Sequence, residues 1–402
     1  MAASAVPVAA SASLGSTVVT CGQTLTSSTR LANDLLRCPG DGLVIGADNI
    51  TLDLAGHSIS GVNAAGSEGI ADDGHRGATI RNGTIMGFFL NGVALRSAPG
   101  SAVNNMTIRR IGAGGGQSDA SAGVLINNSP HSSVTASTVT NHVAAYQSDG
   151  VDVLSSAATI ISGSRVVSNA WNGLFVVDSP RTRVVGDALV GNQNEGVEVN
   201  AGSDGTVLVR NYAANNVSNG LVVGAISDAR IQCNTLIGNA ASGLFMFDLH
   251  NSLVSGNHAH SNGAGIDLEG GQNGSSGNYI AGNDTSRNSG AGLVVANGAN
   301  HNVVVRNVSN ANQGPPGQGG GIIIFGSTGN TVRGNVANRN LDVGIGVFEN
   351  QPGDSSGNVL RANLASANQA HGIDAVHGTV DGGGNDAHGN VPLPNCLGIR
   401  CR

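Results

Sequence analysis

Lysine is absent from this 402-residue chain, whose 19 basic residues are all arginine. Without an amine side chain there is no Schiff-base chemistry and no lysine to hold phosphate in a P-loop. Charged residues make up only 11% and aromatics only 3%. Net charge is −7 and no basic run occurs. Nucleic acid and anionic membranes are therefore excluded as main partners, because both reward clustered cations. Long apolar runs are also missing, and no stretch of about 18 residues reads as a membrane span. Gly-x-Ser-x-Gly, His-Glu-x-x-His and Walker sequences do not occur. Asp72-Asp73 lacks the other marks of a polygalacturonase. What is abundant is glycine (62 residues) and asparagine (45 residues), with 40% apolar residues to build a core.

Cysteine is scarce but placed at the two ends: Cys21 and Cys38, then Cys396 and Cys401, with Cys233 between. Pairing 21–38 and 396–401 would staple both termini, as in an oxidising compartment. Cys233 reads as a small buried apolar residue. Met1 to Ala12, ending Ala10-Ser11-Ala12, reads as the tail of a secretory signal. A disordered N-terminus is the alternative. Secretion to the extracellular space is the expectation.

Glycine followed by alternating aliphatics recurs from Gly69 to Gly372, as in Gly150-Val-Asp-Val, Gly173-Leu-Phe-Val, Gly196-Val-Glu-Val and Gly243-Leu-Phe-Met. The base spacing is 23 residues, with insertions in some units. Asparagine stands four places before many of these glycines (Asn169, Asn192, Asn216, Asn239, Asn288, Asn340, Asn368). A second asparagine often precedes it by five (Asn211, Asn234, Asn283, Asn335, Asn363). A unit this short, with period-2 strands and no helical period, fits one coil of a parallel β-helix. Inward positions would then stack as aliphatic columns and turn asparagines as hydrogen-bonded ladders. The repeat glycine is read as a tight corner requiring positive φ. The prediction is an all-β, single-stranded right-handed parallel β-helix of about 13 coils. Residues 1–19 are a residual signal or disordered segment, 20–377 the β-helix and 378–402 the C-terminal cap. Residues 20–60 form the N-terminal cap, in which TLTSSTRLANDLLRC is expected to make a short amphipathic helix over the first coil. Both caps carry a disulfide and cover the open edges of the solenoid. Insertions at 111–122, after Gly292 and at 313–321 are read as loops.

The opening CGQTLTSSTRLANDLLRCPGDGLVIGADNITLDLAGHSISG, the glycine-led coils and the closing DGGGNDAHGN…NCLGIRC resemble the secreted bacterial right-handed β-helix repeat proteins, grouped with pectate-lyase-like and NosD-like β-helices. The resemblance covers essentially the whole chain. It implies the fold and export, and it implies action on, or binding of, uronic-acid polysaccharides.

With alternation fixed by the repeat, the second residue after each glycine points outward. That column reads Asp152, Phe175, Glu198, Val222, Phe245, Asp267 over six coils. The fourth position adds Phe247 and Glu269, and Asp178 and Asp248 follow the strand. Three of five glutamates and five of seven phenylalanines lie on or beside this face. Carboxylates between aromatic faces are what a sugar groove needs, for ring stacking, for acid/base work or for holding Ca²⁺. Asp152 and Glu198, two coils apart with Phe175 between, stand roughly 10 Å apart before side-chain reach. An inverting glycosidase separates its carboxyls by about 6.5–9.5 Å. An apolar stripe covered by loops and edged with solubilising carboxylates is the structural alternative.

Phe245-Met246-Phe247-Asp248-Leu249-His250, followed one coil on by Asp267, is similar to the Tyr-Gly-Phe-Asp-Pro-His segment of mannuronan C5-epimerases. The resemblance implies catalytic roles for Asp248, His250 and Asp267; Phe245 stands where that family has its tyrosine, and a phenyl ring exchanges no proton. His250, His258 and His260 are the best clustered imidazoles. Arg333 and Arg361 recur at matching places and could bind carboxylates. The candidate catalytic residues are thus Asp248, His250, Asp267, Glu198 and Asp152. The candidate substrate-binding residues are Phe175, Phe245, Phe247, Asp178 and Glu269. No cofactor is required by the sequence, with Ca²⁺ the one candidate. The expected activity is a lyase or C5-epimerase on a uronic-acid polysaccharide by a monomeric protein. A non-catalytic glycan-binding or structural surface protein is the alternative. Copper delivery is disfavoured, because four scattered methionines make no soft ligand set.

Overall fold

A computed structural model describes residues 15–112, 121–142, 148–315 and 319–402. Met1 to Ala12 and the cores of two expected insertions, 113–120 and 316–318, lie outside the described residues. Each coil runs through three short strands. Leu174–Val177, Arg183–Val185 and Ala188–Val190 make one coil. Leu174–Val177 pairs in parallel with Val197–Val199, Arg183–Val185 with Val207–Val209, and Ala188–Val190 with Tyr212–Ala214. Repetition of these pairings builds three stacked parallel faces, here called first, second and third in chain order. The result is a right-handed parallel β-solenoid of about 15 turns.

Period-2 alternation makes the core. On the first face Val151, Val153, Leu174, Val176, Val197 and Val199 are fully buried. On the second, Ile161, Val184, Leu208, Ile231 and Val254 stack in register and are equally buried. The corners are closed by the predicted asparagine ladders. Asn192 donates from its backbone N and Nδ2 to Asn216 Oδ1 at 3.0 and 3.1 Å, and its Nδ2 also reaches Val166 O of the preceding coil. Asn216 repeats this on Asn239, and Asn239 on Asn262. A second ladder runs from Asn211 through Asn234 and Asn257 to Asn385. A third, of serines and then asparagines (Ser156, Ser179, Ser203, later Asn278, Asn302, Asn330), closes the remaining corner.

Several expectations need correction. No α-helix occurs among the described residues. The segment read as a capping helix instead forms Thr29–Leu31 and Leu35–Cys38, which pair with Thr51–Asp53 and Ser58–Gly61. Its buried positions are Leu25, Leu31, Leu35 and Cys38, and the strand ladder satisfies its backbone where a helix would leave the first coil's edge open. These extra coils account for the count of about 15 rather than 13, and the repeat Gly42-Leu43-Val44-Ile45 was the signal for them. The repeat glycines do not adopt positive φ; left-handed corners are taken by other glycines and by residues such as Ser168, Asp178, Asn215 and Cys233. At the repeat positions glycine is required for close stacking. A Cβ on Gly173 would lie 2.5 Å from Gly196 O and 2.7 Å from Asn192 Nδ2. Cys21–Cys38 and Cys396–Cys401 are bonded as expected. Cys233, expected in the core, is exposed, because φ of 55° at its corner turns the side chain outward.

Candidate functional site

The outward column of the first face is assembled in register: Asp152 opposite Phe175, Phe175 opposite Glu198, then Val222, Phe245, Asp267 and Val294. Only part of it meets solvent. Ala71, Ala94 and Val222 are buried, and Asp152 is 7% exposed. Asp72, from the Asp72-Asp73 pair, points inward and is fully buried; burial raises it to about 6 despite the backbone N–H of His75 on its Oδ1.

At Asp152 the face opens into a cleft of about 510 Å³ lined by Asp149, Asp152, Trp171, Asn172, Phe175, Asn194, Glu195, Glu198 and Asn200, with Leu154 at one end. Asp149, Asn172 and Glu195 each sit immediately before a repeat glycine, so they stack as a second column beside the first. Asn172 ties the two columns together. Its backbone N donates to Asp149 Oδ1 at 2.7 Å and its Nδ2 to Glu198 Oε2 at 2.9 Å, while its Oδ1 accepts from Asn194 Nδ2 and Glu195 N. Asn200 Nδ2 donates to Glu198 Oε1 at 2.8 Å, so both Glu198 oxygens are acceptors.

Asp149 and Asp152 are both buried and hydrogen-bonded to each other. Burial drives both carboxyls upward. Asp149 beside it raises Asp152 further, while the backbone N–H of Asn172 on Asp149 Oδ1 works against burial there. Asp152 Oδ1 has no hydrogen-bond partner. Glu195 is also raised by burial, against hydrogen bonds from Asn219 N and Ser218 Oγ. The cleft therefore presents a desolvated carboxyl pair held above the usual carboxylate range, an acceptor carboxylate two coils away, and the faces of Trp171 and Phe175. Among the described residues no cation lines it.

The other sequence candidates lie elsewhere. Asp248 lies inside strand Ser242–His250 at a left-handed bend (φ 46°), accepting from Asn273 N at 2.7 Å. His250 Nδ1 is 3.1 Å from Ser276 Oγ. Both line a small concavity of about 220 Å³ with Asp204 and Asn273. Asp267 is not among its walls: it lies in register with Phe245 on the strand, where burial first, and Glu269 second, push it up to about 7. Phe245 and Phe247 pack at 5.8 Å between ring centroids, with Phe247 covering Gly224. Glu269 accepts from Asn297 and lines a third, more apolar concavity of about 460 Å³ with Phe325 and Phe348. Asp178 is an exposed corner residue beside Gly202, outside the cleft. The epimerase-like segment is thus spread over separate surfaces, while Asp152, Phe175 and Glu198 share one. Asp149, Trp171, Asn172 and Glu195 were missed. Glu195-Gly-Val-Glu198, holding two of five glutamates, was their available signal.

Two family models match the chain: periplasmic copper-binding protein (NosD) over residues 117–275, and right handed beta helix region over residues 273–393. No curated protein sequence matches. Among solved structures the chain is similar to the Dettilon tailspike protein (16% identity, TM-score 0.51), over 89% of this chain and 63% of that one. The chain thus spans less than two thirds of that tailspike. It is also similar to the A-module of the mannuronan C-5 epimerase AlgE6 of Azotobacter vinelandii (15% identity, TM-score 0.50), over 95% and 92%. At such identities these likenesses are of fold. The copper named in the first description is held by sulfur or by imidazole ligands. Of the sulfurs, Met106 and Met246 are buried in the core and Cys233 is the one free cysteine among the described residues. Two disulfides mark an oxidising compartment, and no helix of the described residues is long and apolar enough to cross a membrane. By fold and by repeat, the chain is a right-handed parallel β-helix, matched over consecutive segments by the NosD and right handed beta helix region models.

Proposed function

We propose that the chain is an exported carbohydrate-active β-helix that binds a polysaccharide along its first face and cleaves it by general acid/base catalysis in the Asp149–Asp152–Glu198 cleft. The observation that carries this reading is the buried Asp149–Asp152 carboxyl pair lining one cleft with Glu198, an acceptor carboxylate two coils away. Asp152 is the general acid toward the glycosidic oxygen, with Asp149 orienting its proton. Glu198 is the base toward water or a ring proton, and Trp171 and Phe175 stack on sugar faces. Both solved-structure likenesses are to proteins of this architecture, one of them an epimerase of mannuronan. Hydrolysis of a largely uncharged glycan fits the cleft better than elimination from a uronate. A C5 carboxylate entering it would meet four carboxyl groups and no neutralising cation among the described residues.

The second reading, a uronate lyase or C5-epimerase, is supported by Asp248 and His250 lining one concavity. A substrate panel separates the two. Reducing ends without ultraviolet absorbance of an unsaturated product mark hydrolysis, and that absorbance marks a lyase. Solvent-tritium exchange without cleavage marks an epimerase. Glycan binding without any of these outcomes supports the non-catalytic alternative.

A further inference from the structure

On the third face, away from the acid cleft, His258 and His260 lie on strand His258–His260 with Ala259 fully buried between them. Alternation therefore puts both imidazoles on the outer side of one strand. One coil on, Asp284 is bridged in parallel register to His258. One ring nitrogen from each imidazole and one carboxylate oxygen lie within 4.8 Å of one another, and the imidazole ring centroids are 6.3 Å apart. No other group of three metal-capable side chains converges in this way among the described residues. The solenoid does not need histidine here: the coil before puts Thr235 and Ile237 at the same register positions. Nor are the rings committed elsewhere, because among the described residues no hydrogen bond or ion pair takes either of them. Asp284 accepts on Oδ1 from Ser286 N at 3.2 Å, the arrangement that fixes a ligating carboxylate.

We propose that His258, His260 and Asp284 bind a divalent transition-metal ion of the zinc class. Two neutral imidazoles and one carboxylate are the ligand set for a borderline ion rather than for Ca²⁺ or Mg²⁺, which prefer oxygen. Metal–ligand bonds of about 2.0–2.1 Å require donor atoms roughly 3.4 Å apart, and side-chain rotation at this accessible face closes the remaining gap. Three protein ligands leave coordination positions open to solvent.

The test uses the full chain without a polyhistidine tag, stripped with chelator. Co²⁺ is titrated while its visible absorbance is followed, then displaced with Zn²⁺. One saturable ion per chain is expected, with His258→Ala and His260→Ala each weakening binding at least roughly tenfold. Far-UV circular dichroism should stay unchanged, because both rings point out of the core. Asp284→Asn keeps the shape of the corner and should also weaken binding. Absence of a saturable one-to-one signal would overturn the proposal. So would unchanged affinity in the His258/His260 double variant, which would place the ion on other members of the 11 histidines.

Discussion

Asp187 occupies a position that every later coil of its ladder gives to asparagine, beginning with Asn211 and Asn234. It is 1% exposed, and burial pushes its carboxyl from 3.8 to about 7 against hydrogen bonds from Ser164 N and Val185 N. A raised folded-state value means that stability is fully present below pH 3.8 and is lost as pH rises through about 7. Each tenfold change in proton affinity is worth about 1.4 kcal/mol, so the carboxyl costs the fold roughly 4 kcal/mol once ionised. Asp187→Asn removes that cost and supplies an Nδ2 able to reach Asn211 Oδ1, as its neighbours do. It forfeits the bond from Val185 N, worth about 1 kcal/mol at any pH. The substitution is therefore near neutral or slightly destabilising at about pH 4. It becomes stabilising by roughly 3 kcal/mol above pH 8. Urea denaturation of both proteins across this range checks it. The single tryptophan, Trp171, sits in the same coil and reports its unfolding. A stability difference that stays flat with pH, or that grows more destabilising as pH rises, would refute the reasoning.

Asp152→Asn and Glu198→Gln should each lower glycan turnover by at least about a hundredfold, with circular dichroism unchanged, on the substrate found active in the panel. Because burial raises both Asp149 and Asp152, wild-type turnover should fall as pH rises and the pair loses its proton. A pH–rate profile without that alkaline decline would count against Asp152 as the acid. Phe175→Ala should weaken glycan affinity by about 1–2 kcal/mol by calorimetry, whether or not catalysis occurs. Asn239→Ala strands the backbone N and Nδ2 of Asn216 and should cost at least about 2 kcal/mol in a thermal or urea unfolding measurement. Gly173→Ala should also destabilise, since its Cβ would meet Gly196 O at 2.5 Å.

The fold was legible because a β-helix writes its geometry into local spacing. Inward aliphatics at period two, a glycine where coils touch, and asparagine where a corner needs two donors and an acceptor are demands of neighbouring coils on single residues. They repeat every 23 residues or slightly more. The same local pattern made Asp152, Phe175 and Glu198 readable as one outward column. What each corner does with its side chain depended on the backbone angle there. Left-handed φ at Cys233 exposed a residue that composition places inside. At Asp248 the bend turned a motif away from the Asp267 that sequence adjacency seemed to give it. The first coils hid a strand pair behind the composition of an amphipathic helix, where pairing with the next coil outweighed local propensity. Sequence by itself determined the solenoid, its ladders and the stripe of acids and aromatics. Tertiary structure alone decided which acids are desolvated and within reach of one another. The Asn172 contacts that tie Asp149 to Glu198, and convergence of His258 and His260 on Asp284, are distances between coils and corners that no single coil encodes.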